Sequence, residues 1–179
     1  MNPRILVVDD QAGNLKLFVP MLGDDFEVSI ATSGEQALRR ISAGPLPDLI
    51  LLDTLMPGID GYEVCSRLKA DARTSGIPVL FLSEQDGGED ESRGLGLGAV
   101  DFIQKPVRAA IMKARIRTHL EFRRCRDRLG EMAGERMREI EARPAPISEE
   151  SGDSDASPGA PGGFDAVQGA PGHVKGCSG

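Results

Sequence analysis

Leu49-Ile50-Leu51-Leu52-Asp53 runs apolar without alternation and ends in a carboxylate. A strand with one wet face alternates apolar and polar residues. An unbroken run therefore reads as a strand buried on both faces, as in a parallel sheet covered by helices. Asp53 then stands at the carboxyl end of its strand, the edge where open α/β sheets bind ligands. There it is a candidate nucleophile toward a phosphoryl group.

The same pattern stands at the N-terminus. Arg4 to Val8 is a short apolar run, and Asp9-Asp10 follows it directly. Ala12 to Leu22 carries Leu15, Phe18, Val19 and Leu22 at helical spacing, and Pro20 is expected to kink or end that helix in its last turn. Phe26 to Ala31 alternates as a second strand. Ser33 and Gln36 have the spacing of a capping box, and the helix they open stops at Gly44-Pro45. Asp60 caps a third helix with Val64, Cys65 and Leu68 as its inward stripe. Ile77 to Leu82 reads as the fourth strand and ends in Ser83. Gly87 to Gly98 is polar and glycine-rich, the least stable helix or loop expected. Ala99 to Ile103 is the fifth strand, with Lys105-Pro106 after it, and a final helix runs from Val107 to about Ala142. Strand alternating with helix five times predicts an α/β fold with a parallel sheet and helices on both faces.

Composition narrows the function classes. The 179 residues suit one ordinary domain plus an extension, and with no Trp the core has to be aliphatic. A net charge of −7 argues against nonspecific DNA binding. Cys65, Cys125 and Cys177 match no metal-ligand spacing and read as reduced thiols. No apolar run reaches the length of a bilayer span and no signal peptide opens the chain, so a soluble cytoplasmic protein is expected. Residues 144–179 are rich in Gly, Pro, Ser and Asp and poor in large apolar residues, and are expected to be disordered.

Four strand ends thus carry functional groups: Asp9 and Asp10, Asp53, Ser83 and Lys105. In a parallel sheet these ends share one edge. Three carboxylates in one pocket raise one another's pKa unless a cation intervenes. Mg2+ takes oxygen ligands from one or two carboxylates and phosphate oxygens, which leaves Asp53 ionised and able to attack phosphorus. Lys105 would neutralise charge on the transferring group, and the Ser83 hydroxyl would donate a hydrogen bond to it. Each residue alone has a plainer reading. Asp9 and Asp10 would only end a strand, Ser83 would be a turn residue, and Phe102 would be core. His119 and His173 have no partner at ligand or phosphotransfer spacing and receive no catalytic role.

The stretches Ile5 to Asp10, Asp48 to Asp53, Met56 to Gly61, Pro78 to Ser83 and Gly98 to Pro106, in this order and spacing, resemble the receiver domain of two-component response regulators. The resemblance covers residues 3–122. It implies a flavodoxin-like (βα)5 sheet of order 2-1-3-4-5. It implies Asp53 as phosphoacceptor, Asp10 as direct Mg2+ ligand, Asp9 as outer-sphere ligand, and the Leu55 backbone carbonyl completing the metal shell. Ser83 and Phe102 match the family's switch pair, which alters the face of the fourth helix, fifth strand and fifth helix. Lys105 matches the phosphate-contacting lysine, with a cis bond to Pro106. Two departures stand out. Glu84 occupies a place usually held by a small residue, where a carboxylate would repel incoming phosphate or slow phosphoryl loss. Pro20 is atypical of the first helix.

Beyond the domain at 1–122, a helical extension over 123–143 carries Phe122, Cys125, Leu129 and Met132 at coiled-coil spacing, which Arg136 breaks and Gly130 and Gly134 weaken. Homodimerisation on it is one expectation. No output domain is expected after it, the residues of 144–179 following directly. The resemblance implies a sensor histidine kinase or phosphotransfer protein as donor and a downstream protein as target, with no membrane partner. Signalling by protein contact is the leading function, and a phosphate sink or shuttle is the alternative. The chain is expected to be no enzyme beyond its own phosphorylation and dephosphorylation. A hydrolase with an Asp nucleophile would want an acid two residues on, where Leu55 stands.

Overall fold

A computed structural model of the protein describes residues 2–84 and 88–142, and in 88–91 the backbone alone. The expectation of disorder over 144–179, with Cys177 and His173, lies outside the described residues. The elements are β1 (Arg4–Val8), α1 (Ala12–Leu22), β2 (Glu27–Ala31), α2 (Gly34–Ala43), β3 (Leu49–Asp53), α3 (Gly61–Ala70), β4 (Val79–Ser83), α4 (Gly88–Gly96), β5 (Asp101–Gln104) and α5 (Ala109–Glu141). The strands form one sheet in the order β2-β1-β3-β4-β5, and every pair is parallel. This is the flavodoxin-like doubly wound arrangement.

The unbroken apolar strands have a direct cause. Successive side chains point to opposite faces, and both faces are covered. Leu6, Val8, Ile50, Leu52, Val79 and Phe81 pack against Ala37 and Ile41 of α2 and Val64, Cys65 and Leu68 of α3. Ile5, Val7, Leu49, Leu51, Leu80 and Leu82 face the other way, toward Leu15, Phe18 and Leu22 of α1 and Met112, Ile116 and Leu120 of α5. All five residues of β3 and of β4 are buried. Each such aliphatic side chain contributes about 2 kcal/mol relative to exposure.

Helix starts follow their caps. Ser33 Oγ accepts from Gln36 N–H at 3.2 Å, but the Gln36 amide reaches back past Ser33 to the Thr32 N–H at 2.6 Å. Asp60 Oδ1 accepts from Glu63 N–H at 2.7 Å. Pro20 lies in the last turn of α1, which ends two residues later at Leu22.

Several boundaries move. β4 begins at Val79, because Pro78 has no N–H for the ladder. β5 begins at Asp101 rather than Ala99, because the Ala99 N–H bonds back to the Gly94 carbonyl at the end of α4. β2 begins at Glu27 rather than Phe26, and α5 at Ala109 rather than Val107.

Midway along its length α5 is tied to the sheet's opposite edge. Arg123 Nη1 donates to the Asp48 carbonyl at 2.7 Å, and Arg126 Nη2 to the Gly76 carbonyl at 3.0 Å. These carbonyls precede β3 and β4, so the helix leaves the domain by the edge away from Asp53. Among the described residues, no helix is long and apolar enough to cross a membrane.

Candidate functional site

Parallel register places the strand ends side by side. Val8 pairs with Leu52, Asp53 with Leu82, and Ser83 with Gln104. One residue past β1, Asp9 therefore meets Asp53. Asp9, Asp10 and Asp53 each offer a carboxylate oxygen within 4.8 Å of the others. Asp9 is fully buried, Asp53 is buried, and Asp10 is exposed.

Lys105 closes the pocket from the end of β5, before a cis bond to Pro106. Its Nζ lies 3.0 Å from Asp9 Oδ2 and 3.0 Å from Asp53 Oδ2. Burial pushes the Asp53 carboxyl up, and the Asp9 charge adds to that. The hydrogen bond and charge of Lys105 oppose it without cancelling it, so Asp53 stays above the ordinary carboxylate value. Burial alone would lower the Lys105 ammonium, but its bonds to Asp53 and Asp9 outweigh burial and hold it above the ordinary lysine value. One ammonium against three carboxylates leaves the pocket negative. An all-oxygen donor set of this kind fits a hard divalent cation.

Asn14 is the residue that sequence reasoning misses. Its Nδ2 donates to both Asp9 oxygens, at 3.1 and 3.0 Å, and the Gln11 N–H adds a bond to Oδ1 at 2.9 Å. Counting Lys105, the buried Asp9 carboxylate accepts four hydrogen bonds, close to its full capacity. An amide five residues after a strand-ending carboxylate is the available signal. It becomes meaningful only when the first turn of α1 folds back over β1.

Gly61 has a role beyond starting α3. A Cβ there would sit 2.0 Å from the Asp53 carbonyl oxygen and 3.1 Å from Thr54 Cα. Its own N–H bonds to the Thr54 carbonyl at 3.1 Å. Leu55 is exposed, and its N–H reaches Asp53 Oδ1 at 3.4 Å.

Ser83 is buried at the end of β4, next along the edge from Asp53. Phe102 does not enter the carboxylate pocket. Its ring packs against Phe81 at 5.1 Å between centroids, and Phe81 against Tyr62 at 5.0 Å. Arg93 of α4 covers the Tyr62 ring at 4.3 Å. Gly94 makes room for this row, since a Cβ there would lie 2.4 Å from Phe102 Cζ. Glu84 is exposed on the rim of a cleft of about 460 Å³ that it shares with Asn14, Lys105 and Pro106. His119 bonds to Asp101 at 3.1 Å, away from the pocket's groups.

Residues 5–117 match the family model described as the response regulator receiver domain. The chain is 44% identical over 140 residues to the response regulator PleD of Caulobacter vibrioides, covering 76% of this chain and 31% of that protein. It is 39% identical over 121 residues to the DNA-binding response regulator MtrA of Mycobacterium tuberculosis, covering 67% of this chain and 51% of MtrA. The chain thus spans about a third to a half of these relatives. Among solved structures, the signal receiver domain of a signal transduction histidine kinase from Syntrophus aciditrophicus superposes with a TM-score of 0.62 at 32% identity. That match covers 66% of this chain and 90% of the other.

Proposed function

The chain belongs to the response regulator receiver domain family, and on that premise we propose that Asp53 takes a phosphoryl group from a sensor histidine kinase or phosphotransfer protein. The observation that carries the proposal is the buried Asp53 carboxylate held 3.0 Å from the Lys105 ammonium, with Asp9 and Asp10 within 4.8 Å. An Asp53 carboxylate oxygen attacks phosphorus. The new bond is P–O, the bond from phosphorus to the donor breaks, and its electron pair leaves with the donor. No general base is required, because the nucleophile is already ionised.

Mg2+ would be held by Asp10, Asp53 and the Leu55 backbone carbonyl, with Asp9 at one remove, and would neutralise charge on the phosphoryl oxygens. The saturation of Asp9 supports that division, since among the described residues the hydrogen bonds fall on Asp9 and none on Asp10. Lys105 stays at the pocket floor and pairs with a phosphoryl oxygen once one arrives. Ser83 donates its hydroxyl to another, and Phe102 is the aromatic that follows it. The chain's own chemistry ends at phosphorylation and dephosphorylation of itself.

Signalling by contact is favoured by exposed apolar residues beside the aromatic row: Leu95 on α4, Val100 just before β5 and Ile111 on α5. The body over residues 1–122 receives the phosphoryl group, and the helix from 123 onward extends from it. The test is labelling with a small phosphodonor. Wild type labels with Mg2+ and loses labelling with chelator. Lys105→Ala labels about 100-fold more slowly or worse. Equal labelling with and without the metal, or wild-type rates in Lys105→Ala, would contradict the reading.

A further inference from the structure

Past Leu120 the apolar side of α5 no longer faces the sheet. Phe122, Cys125, Leu129, Met132, Met137 and Ile140 are all exposed, and the five large ones expose 59 to 68% of their surface. Between them the stem is almost entirely Arg, Glu and Gly. A contiguous apolar stripe on a charged stem marks a docking surface.

The spacing says what kind. Phe122, Cys125, Leu129 and Met132 recur at 3-4-3, four successive layers of a helix-pairing seam. After one residue's shift, Ala133, Met137 and Ile140 carry the stripe onward. From Phe122 to Ile140 the mean period is about 3.6 residues, that of a straight helix, so the stripe stays on one side of the stem.

We propose that this stripe is the seam with a second copy of this chain, the two α5 stems lying parallel and in register. The flanking charges select that arrangement. With Phe122 and Leu129 at the first seam position and Cys125 and Met132 at the second, Glu121 and Arg126 fall at the flanking positions that face each other across a parallel pair. Glu121 of each copy then meets Arg126 of the other, twice per dimer. An antiparallel pair would set Glu121 against Glu135, Arg128 against Arg128 and Arg126 against Arg126, all like charges. Arg126 already donates to the Gly76 carbonyl and, through Nε and Nη2, to Asp127 on the same stem, which leaves its Nη1 for this pairing.

The size of the seam sets the expected behaviour. Six side chains cover on the order of 500 Å² per copy, below the usual area of a stable interface. The dimer is therefore concentration-dependent rather than obligate. Because the stem leaves by the edge opposite Asp53, parallel pairing leaves both carboxylate pockets open. The dimer does not depend on the phosphoacceptor reading.

The test uses the full chain carrying Cys177→Ser, so that the two thiols left are the buried Cys65 and the exposed Cys125. Sedimentation from about 1 to 100 μM is expected to show mass rising from monomer to dimer, and a short bis-maleimide is expected to join Cys125 to Cys125. Leu129→Glu with Met132→Glu is expected to remain monomeric at every concentration, with helical circular dichroism retained. A monomer throughout, a dimer that does not cross-link through Cys125, or a dimer that persists in the double variant would overturn the proposal. Each result leaves phosphodonor labelling of Asp53 unaffected, so the two readings fail separately.

Discussion

Gly61 acts at the site without a functional group, because its lack of a side chain lets α3 begin against the Asp53 carbonyl. Gly61→Ala would place a methyl 2.0 Å from that oxygen. Neither backbone can yield without moving the phosphoacceptor, so a loss of about 3 kcal/mol or more is expected by urea unfolding. A change under about 0.5 kcal/mol would show that the two backbones approach less closely. Asn14 is a second silent contributor. Asn14→Ala leaves a buried carboxylate short of a donor to both oxygens and is expected to cost about 1–2 kcal/mol in the metal-free chain. Asp101 supplies one pH dependence, away from the carboxylate pocket. Burial pushes its carboxyl up, but hydrogen bonds from Arg115, His119 and the Phe102 N–H outweigh burial and hold it below the ordinary value. The folded pKa is therefore lower than the unfolded one. Its stabilisation is full above the unfolded value near 3.9 and vanishes as pH falls through the folded value. Asp101→Asn should cost about 1 kcal/mol or less at pH 7, since solvent screens the half-buried pairs, and the difference should fade below about pH 4. A difference that grows on acidification would contradict the sign.

At the scale of elements, legibility follows burial. β1, β3 and β4 announce themselves because a strand covered on both faces has no polar residue to interrupt it. β5 is displaced by two residues, because the Ala99 N–H closes α4 and such a bond leaves no mark in composition. The Ser33 cap is legible from spacing, whereas its Gln36 partner bonds one residue further back, a choice made by local backbone geometry. In α5, a Cβ built on Gly130 would meet nothing within 4 Å, so space there is open. Gly130→Ala should stabilise the extension by about 0.5–1 kcal/mol through backbone entropy and helix propensity. The check is helicity by circular dichroism on warming, and an unchanged or lower midpoint for the extension would count against it.

Over the whole molecule, the sheet separates two ends. The carboxylates and Lys105 lie along the carboxyl edge, and the stem of α5 departs from the amino edge beside Asp48 and Gly76. Strand ends far apart in sequence are legible as one pocket, because parallel topology alone brings them to a common edge. What the sequence does not convey is how the pocket's charges are shared. The four bonds on Asp9 and the double bridge of Lys105 depend on where α1 and the Lys105-Pro106 turn come to rest. The central claim is that a phosphoryl group goes onto Asp53 and onto no other residue. Peptide mapping by mass spectrometry after treatment with a small phosphodonor and Mg2+ tests it most directly. The account predicts one base-labile acyl phosphate on the peptide that contains Asp53, absent from Asp53→Asn. A phosphoryl group on Ser83 or elsewhere in the wild type, or undiminished labelling of Asp53→Asn, would contradict it.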